Sequence, residues 1–163
     1  MASGDTLDRF SPRTFEPAAS NPATPAGRNA HPVLEFDDTA GESAVWTGIM
    51  PRHYRGSGLT VRVHFAMKTA ITGTVDWDVA FERIGEGQQD IDEDGFAAAQ
   101  SADDNMVPGT CGHVGVAEIA FTDGAQMDDI AAGDLFRMKL TRDAASDDAA
   151  GDAEVLAVEV KET

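Results

Sequence analysis

Gly58-Leu-Thr-Val-Arg-Val-His-Phe-Ala-Met67 and Thr72-Gly-Thr-Val-Asp-Trp-Asp-Val-Ala-Phe-Glu-Arg-Ile84 are the segments whose reading decides the fold. Leu59, Val61, Val63 and Phe65 alternate with Thr60, Arg62 and His64. Val75, Trp77, Val79 and Phe81 alternate with Asp76, Asp78, Ala80 and Glu82. Successive side chains of a strand point to opposite faces, so each segment buries one face and wets the other. The pattern predicts a two-sided antiparallel β architecture. It places Arg62, His64, Asp76, Asp78 and Glu82 on the surface.

Working outward, residues 33–36, 44–50, 96–101, 113–122, 134–142 and 153–161 read as further strands. The breaks between them hold Gly, Pro, Asn or Asp: 51–58, 85–87, 108–109, 123–124 and 144–151. One helical signal interrupts the series at 126–132, with Met127 and Ile130 facing inward and Gly133 in the position that ends a helix. Many short strands and almost no helix indicate an all-β antiparallel sandwich. About eight strands suit a jelly roll.

Five of the seven prolines (Pro12, Pro17, Pro22, Pro25 and Pro32) precede Val33. Proline fixes φ and removes a donor, which excludes a helix or a central strand there. Residues 1–32 therefore read as a Pro-rich extended N-terminal arm and 33–163 as the sandwich domain. Leu7, Phe10 and Phe15 are unnecessary in a pure spacer and imply an arm that docks on something. Phe10, Phe15, Arg9 and Arg13 are its expected partner contacts. Deleting such an arm is expected to leave a folded sandwich.

The 163-residue chain carries 29 acidic and 12 basic side chains, a formal charge of −17. Nucleic acids and anionic membranes are recognised through basic contacts, so neither is an expected partner. The single cysteine, Cys111, excludes an intramolecular disulfide framework and a cysteine-based zinc site. The N-terminus lacks the apolar run of a signal peptide, which implies synthesis in a cytoplasm.

No motif commits the chain to catalysis. His31, His53, His64 and His113 are scattered, and Cys111 and His113 share one Gly-rich turn, unlike a nucleophile and base drawn from separate elements. No nucleophile elbow, zinc-protease motif or phosphate loop is present. The chain reads as non-enzymatic, without a cofactor. One candidate remains for a structural Ca²⁺: Asp90, Asp92 and Asp94 before Gly95 have the spacing that opens an EF-hand loop. The twelfth position is Ser101, where that loop needs a bidentate Glu. The acids Asp143, Asp147, Asp148 and Asp152 read as a plain polar hairpin loop. Trp46, Tyr54 and Trp77 suggest a sugar platform, but Trp77 shares its face with core residues and the face of Trp46 is ambiguous.

Taken in order, five segments resemble a jelly-roll-like module of tailed-bacteriophage virion proteins, of the head-decoration and tail-fibre type. They are Ser43-Ala-Val-Trp-Thr-Gly-Ile-Met-Pro51 with Tyr54, Gly58–Phe65, Gly73–Arg83, Gly133-Asp-Leu-Phe-Arg-Met-Lys-Leu-Thr-Arg-Asp143 and Gly151-Asp-Ala-Glu-Val-Leu-Ala-Val-Glu-Val160. The resemblance implies a capsid decoration (cement) protein on the virion surface, a homotrimer bound to the major capsid protein. Two alternatives stand beside it: a tail-fibre or receptor-binding adaptor recognising a host glycan or protein, and a calcium-dependent binding module.

Overall fold

A computed structural model describes residues 4–163. Eleven strands follow one another: β1 (Thr6–Phe10), β2 (Glu16–Pro17), β3 (Thr24–Arg28), β4 (His31–Phe36), β5 (Ser43–Ile49), β6 (Leu59–Met67), β7 (Thr74–Ile84), β8 (Gln100–Met106), β9 (Gly115–Phe121), β10 (Leu135–Arg142) and β11 (Ala153–Glu162). They form two antiparallel sheets. One has the order β3-β4-β11-β6-β9, with β1 also paired to β11; the other is β2-β5-β10-β7-β8. The chain is an all-β, jelly-roll-like antiparallel sandwich, as the alternating segments predict.

The inward residues of β6 and β7 meet across the sandwich. Val61, Val63 and Phe65 face Val75, Trp77, Val79 and Phe81, joined by Phe36, Ile119, Phe136 and Leu140. Trp77 lies edge-on between Phe36 and Phe65, at 5.2 and 5.8 Å between ring centroids, and Phe81 packs likewise on Phe121 and Phe136. Such edge contacts add to the burial of large aromatic surfaces.

The Pro-rich stretch does not stand apart from this core. Arg9 pairs with Glu159 in the β1–β11 register, Ala26 with Val33 in β3–β4, and Glu16 with Val45 in β2–β5. Leu7, Phe10 and Ala23 are core residues, and Phe10 stacks on Trp46 at 5.9 Å. The physical reason is positional. Proline is barred from central strands but tolerated at edges, where its missing donor faces solvent. Pro17 and Pro25 lie in β2 and β3, the edge strands of the two sheets.

Three other elements differ from expectation. The helical signal yields only a 3-10 turn, Ala125–Met127, after which Asp128 and Asp129 adopt φ of +56°. Met127 and Ile130 are nevertheless buried. The strand expected at 96–101 begins at Gln100, because Phe96 instead lies under Arg137 and Lys139, 5.4 and 4.8 Å from its ring centre. Asp76 and Glu82, expected on the surface, are buried. Asp76 accepts the Asp104 amide at 2.7 Å, and Glu82 accepts from Arg137 at 3.3 Å.

The acidic hairpin loop between β10 and β11 is built around Arg142. Its Nε donates to Asp147 at 2.7 Å and its Nη2 donates to the same carboxylate at 3.0 Å. The remaining donors reach the carbonyls of Phe36, Ala149 and Gly151. Both side chains are buried, at 0% and 1% exposure.

Burial raises the pKa of Asp8, Glu42, Asp76 and Glu154 above the ordinary carboxylate range. The folded protein therefore holds protons at pH values where the unfolded chain has released them. Stability is then lost as pH rises through these folded pKa values and regained on acidification. Asp37 shifts the other way, held down by the hydroxyl and amide of Thr39, so its contribution is lost only below the ordinary range. The midpoint of thermal unfolding is expected to rise from pH 8 to pH 5, with Asp8→Asn flattening part of the profile. A midpoint that falls over that interval contradicts this account.

Candidate functional site

The outer faces of the two sheets differ. That of the five-stranded sheet is partly covered, by Phe96 against Arg137 and Lys139 and by the Asp104 backbone at Asp76. That of the six-stranded sheet is open, and a discontinuity in β11 shapes it. Along one edge, β11 pairs with β4 through Ala153–Val155 and then with β1 from Val158 onward. At the hand-over, the register against β6 slips between Val155 and Ala157. Leu156 is the extra residue of this β-bulge, so it and Ala157 both turn outward where strict alternation would send one into the core. Bulges re-aim side chains in this way.

Two adjoining grooves result, of about 480 and 370 Å³, sharing Leu156 and Val114. The first is closed by Arg9 and Thr6 of β1, His64 of β6 and Glu159 of β11. The second is closed by Arg28 and His31 at the β3–β4 hairpin and by Glu154. Its floor includes Val33 and Ala66, buried apolar residues that lie outside the central core. The strip is thus aliphatic at the bottom and polar at the rim.

The rim acids are already engaged. Arg28 holds Glu154 at 2.9 Å and also donates to the Met67 carbonyl at 2.9 Å. Burial raises the Glu154 pKa, and Arg28 offsets part of that shift. Glu159 accepts from the Thr6 hydroxyl at 2.5 Å and lies 3.6 Å from Arg62, which also reaches Glu118 at 3.2 Å. Arg9 and His64 are different. Among the described residues, neither side chain enters a hydrogen bond or ion pair.

The residues expected to carry function are dispersed. Phe10 is buried against Trp46 and Phe136 and has no face for a partner; Phe15 packs partly against the core. Arg13 is exposed on the 3-10 turn Pro12–Thr14, away from Arg9. Asp90 uses its carboxylate to accept the Asp92 amide at 3.0 Å, and its carbonyl accepts the amides of Glu93 and Asp94. Among the described residues no three His, Cys, Asp or Glu side chains gather into a group that could hold a metal ion.

Trp46, Trp77 and Tyr54 are all buried, at 1%, 0% and 8% exposure. Trp46 donates to the Ser11 carbonyl at 2.9 Å and Tyr54 to Asp123 at 2.6 Å. They make no platform. His64 is the residue that alternation assigned to plain surface, and the bulge opposite it gives it a groove.

No protein-family model matches the chain, and no curated protein shows significant similarity to it. Among solved structures, the C-terminal CBM6 of LamC, a marine laminarinase from Zobellia galactanivorans, aligns over 96% of this chain and 99% of its own. The TM-score is 0.51 and the identity 10%. The CBM22-1 xylan-binding domain of Xyn10C from Paenibacillus barcinonensis covers 99% of this chain and 96% of its own at 11% identity, with a TM-score of 0.49. A cellulose-specific carbohydrate-binding module, CBM28, gives 0.41 at 11% identity, covering 99% of this chain and 95% of its own. Only the first of these three bears on the fold.

The likeness overturns the resemblance to a virion module. The capsid-decoration role, the major capsid protein as partner, the homotrimer and the virion-surface location fall with it. The quoted segments are alternating strands ending in Gly or Asp turns. Such a pattern encodes a sandwich and does not distinguish one jelly-roll family from another.

Proposed function

We propose that this protein is a non-catalytic glycan-binding module that receives its ligand on the outer face of the six-stranded sheet. The observation that carries the reading is the pair of grooves beside the β11 bulge. A sugar ring presents an apolar face and a rim of hydroxyls. Leu156, Ala157 and Val114 match the first, and the Arg, His and Glu side chains around them match the second. The likeness to a carbohydrate-binding module in fold supports the same reading.

With no tryptophan or tyrosine on this face, contact must come from the aliphatic floor and from polar groups. Affinity electrophoresis through gels containing soluble polysaccharides tests the proposal. At least one polysaccharide is expected to retard the protein. Ala157→Phe, which fills the first groove, is expected to abolish retardation while leaving the melting midpoint within a few degrees. Retardation by none, or an Ala157→Phe variant that binds like the parent, overturns it.

A further inference from the structure

The rim of the first groove specifies more than a generic sugar. Of its charged groups, Glu159 is committed to Thr6 and Arg62. Arg9 faces Glu159 across the β1–β11 pair yet forms no ion pair with it. His64 stands opposite Ala157 in the β6–β11 register, so Arg9 and His64 flank the bulge from the two strands adjoining β11. What the groove offers a ligand is therefore donors: the guanidinium fork and an imidazole N–H above an aliphatic floor. In the second groove Glu154 is likewise held by Arg28. Each rim carboxylate keeps free lone pairs but already has a cationic or hydroxyl partner, whereas the Arg9 guanidinium has none among the described residues.

From this imbalance we infer that the ligand is an acidic glycan, and that a uronic-acid carboxylate docks between Arg9 and His64 with its ring on Leu156 and Ala157. The inference rests on the glycan-binding reading above. A planar guanidinium matches a carboxylate with two parallel hydrogen bonds. Arg9, Arg28 and Arg62 lie on the face with the grooves and match Glu118, Glu154 and Glu159 there in number, while the chain as a whole carries −17. At physiological salt, repulsion from the distant acids is screened beyond about 8 Å, whereas a contact inside the groove is not.

Titration calorimetry at 0.15 M salt with polygalacturonate, a neutral glucan and a sulfated dextran decides the matter. Polygalacturonate is expected to bind. Arg9→Ala is expected to weaken it by on the order of 10- to 100-fold, the range for a lost charge-assisted hydrogen bond. Arg9→Lys should recover part of that loss, and Arg13→Ala, outside the groove, should change nothing. Binding of the neutral glucan without polygalacturonate overturns the acidic-ligand inference and leaves the glycan-binding reading intact. Binding of sulfated dextran as tightly as polygalacturonate, or an unaffected Arg9→Ala variant, also overturns it, by showing non-specific attraction. Binding of no polysaccharide removes both.

Discussion

Arg142→Ala is expected to destabilise the protein by about 3–5 kcal/mol, the range for breaking a buried, hydrogen-bonded ion pair. Arg142 is fully buried at the end of β10 and uses all five guanidinium donors: two on the Asp147 carboxylate and three on the carbonyls of Phe36, Ala149 and Gly151. Those carbonyls tie the β10–β11 loop to the end of β4. Removing the side chain strands a buried carboxylate and three buried acceptors together. A domain of this size has only about 5–15 kcal/mol in total, so the loss is a large share of it. Arg142→Lys keeps the charge without the fork and should fall between. The double variant Arg142→Ala with Asp147→Ala should regain part of the loss, because no lone charge remains. Urea unfolding followed by circular dichroism measures each, and a single-variant loss below about 1 kcal/mol would mean that the loop does not depend on this pair.

Deleting residues 1–28 is expected to leave no folded sandwich at all. The segment supplies β1 to β11, β3 to β4, and Leu7, Phe10 and Ala23 to the core. Its loss uncovers Trp46, which Phe10 stacks upon, and Phe136, which Phe10 meets edge-on at 6.3 Å. Phe10→Ala alone should cost about 3–5 kcal/mol, as for other buried phenylalanines. The single substitution keeps the test graded if the deletion proves insoluble. A truncated protein that unfolds cooperatively at the parent's midpoint would restore the picture of a separate arm.

That outcome marks the border between what the residues disclose and what they do not. β6 and β7 were legible because one face is apolar at every second position from Leu59 to Met67 and from Val75 to Phe81. β10 followed for the same reason, and β11 for its last part, where Val158 and Val160 alternate with Glu159 and Lys161. β1 to β3 were not, since proline rules out central strands and leaves edge strands and free arms equally open. Arg142 hid in plain sight. A lone arginine closing a strand looks like an exposed charge until its loop is seen to fold back over it. The groove was illegible for another reason. Its bulge lies within Val155-Leu-Ala-Val158, where apolar residues run without alternation and any register would bury some of them. The acids at Asp76 and Glu82 kept the right parity, but parity cannot report that a later segment will cover that face.

The place of β11 has a consequence for how the molecule is made. It is the eleventh strand in chain order and yet lies inside its sheet, with β4 and β1 along one side and β6 along the other. While the domain emerges from a ribosome, β4 and β6 have nothing between them, and each presents an open edge to its surroundings. Only when the last ten residues of the β-structure are released can they be joined, through pairings that span most of the chain. Assembly dominated by such distant pairings is slow, and open strand edges invite the wrong neighbour in the meantime. The interval before release is when a newly synthesised chain is most exposed to aggregation, and a polyribosome carrying many copies is where that exposure is greatest.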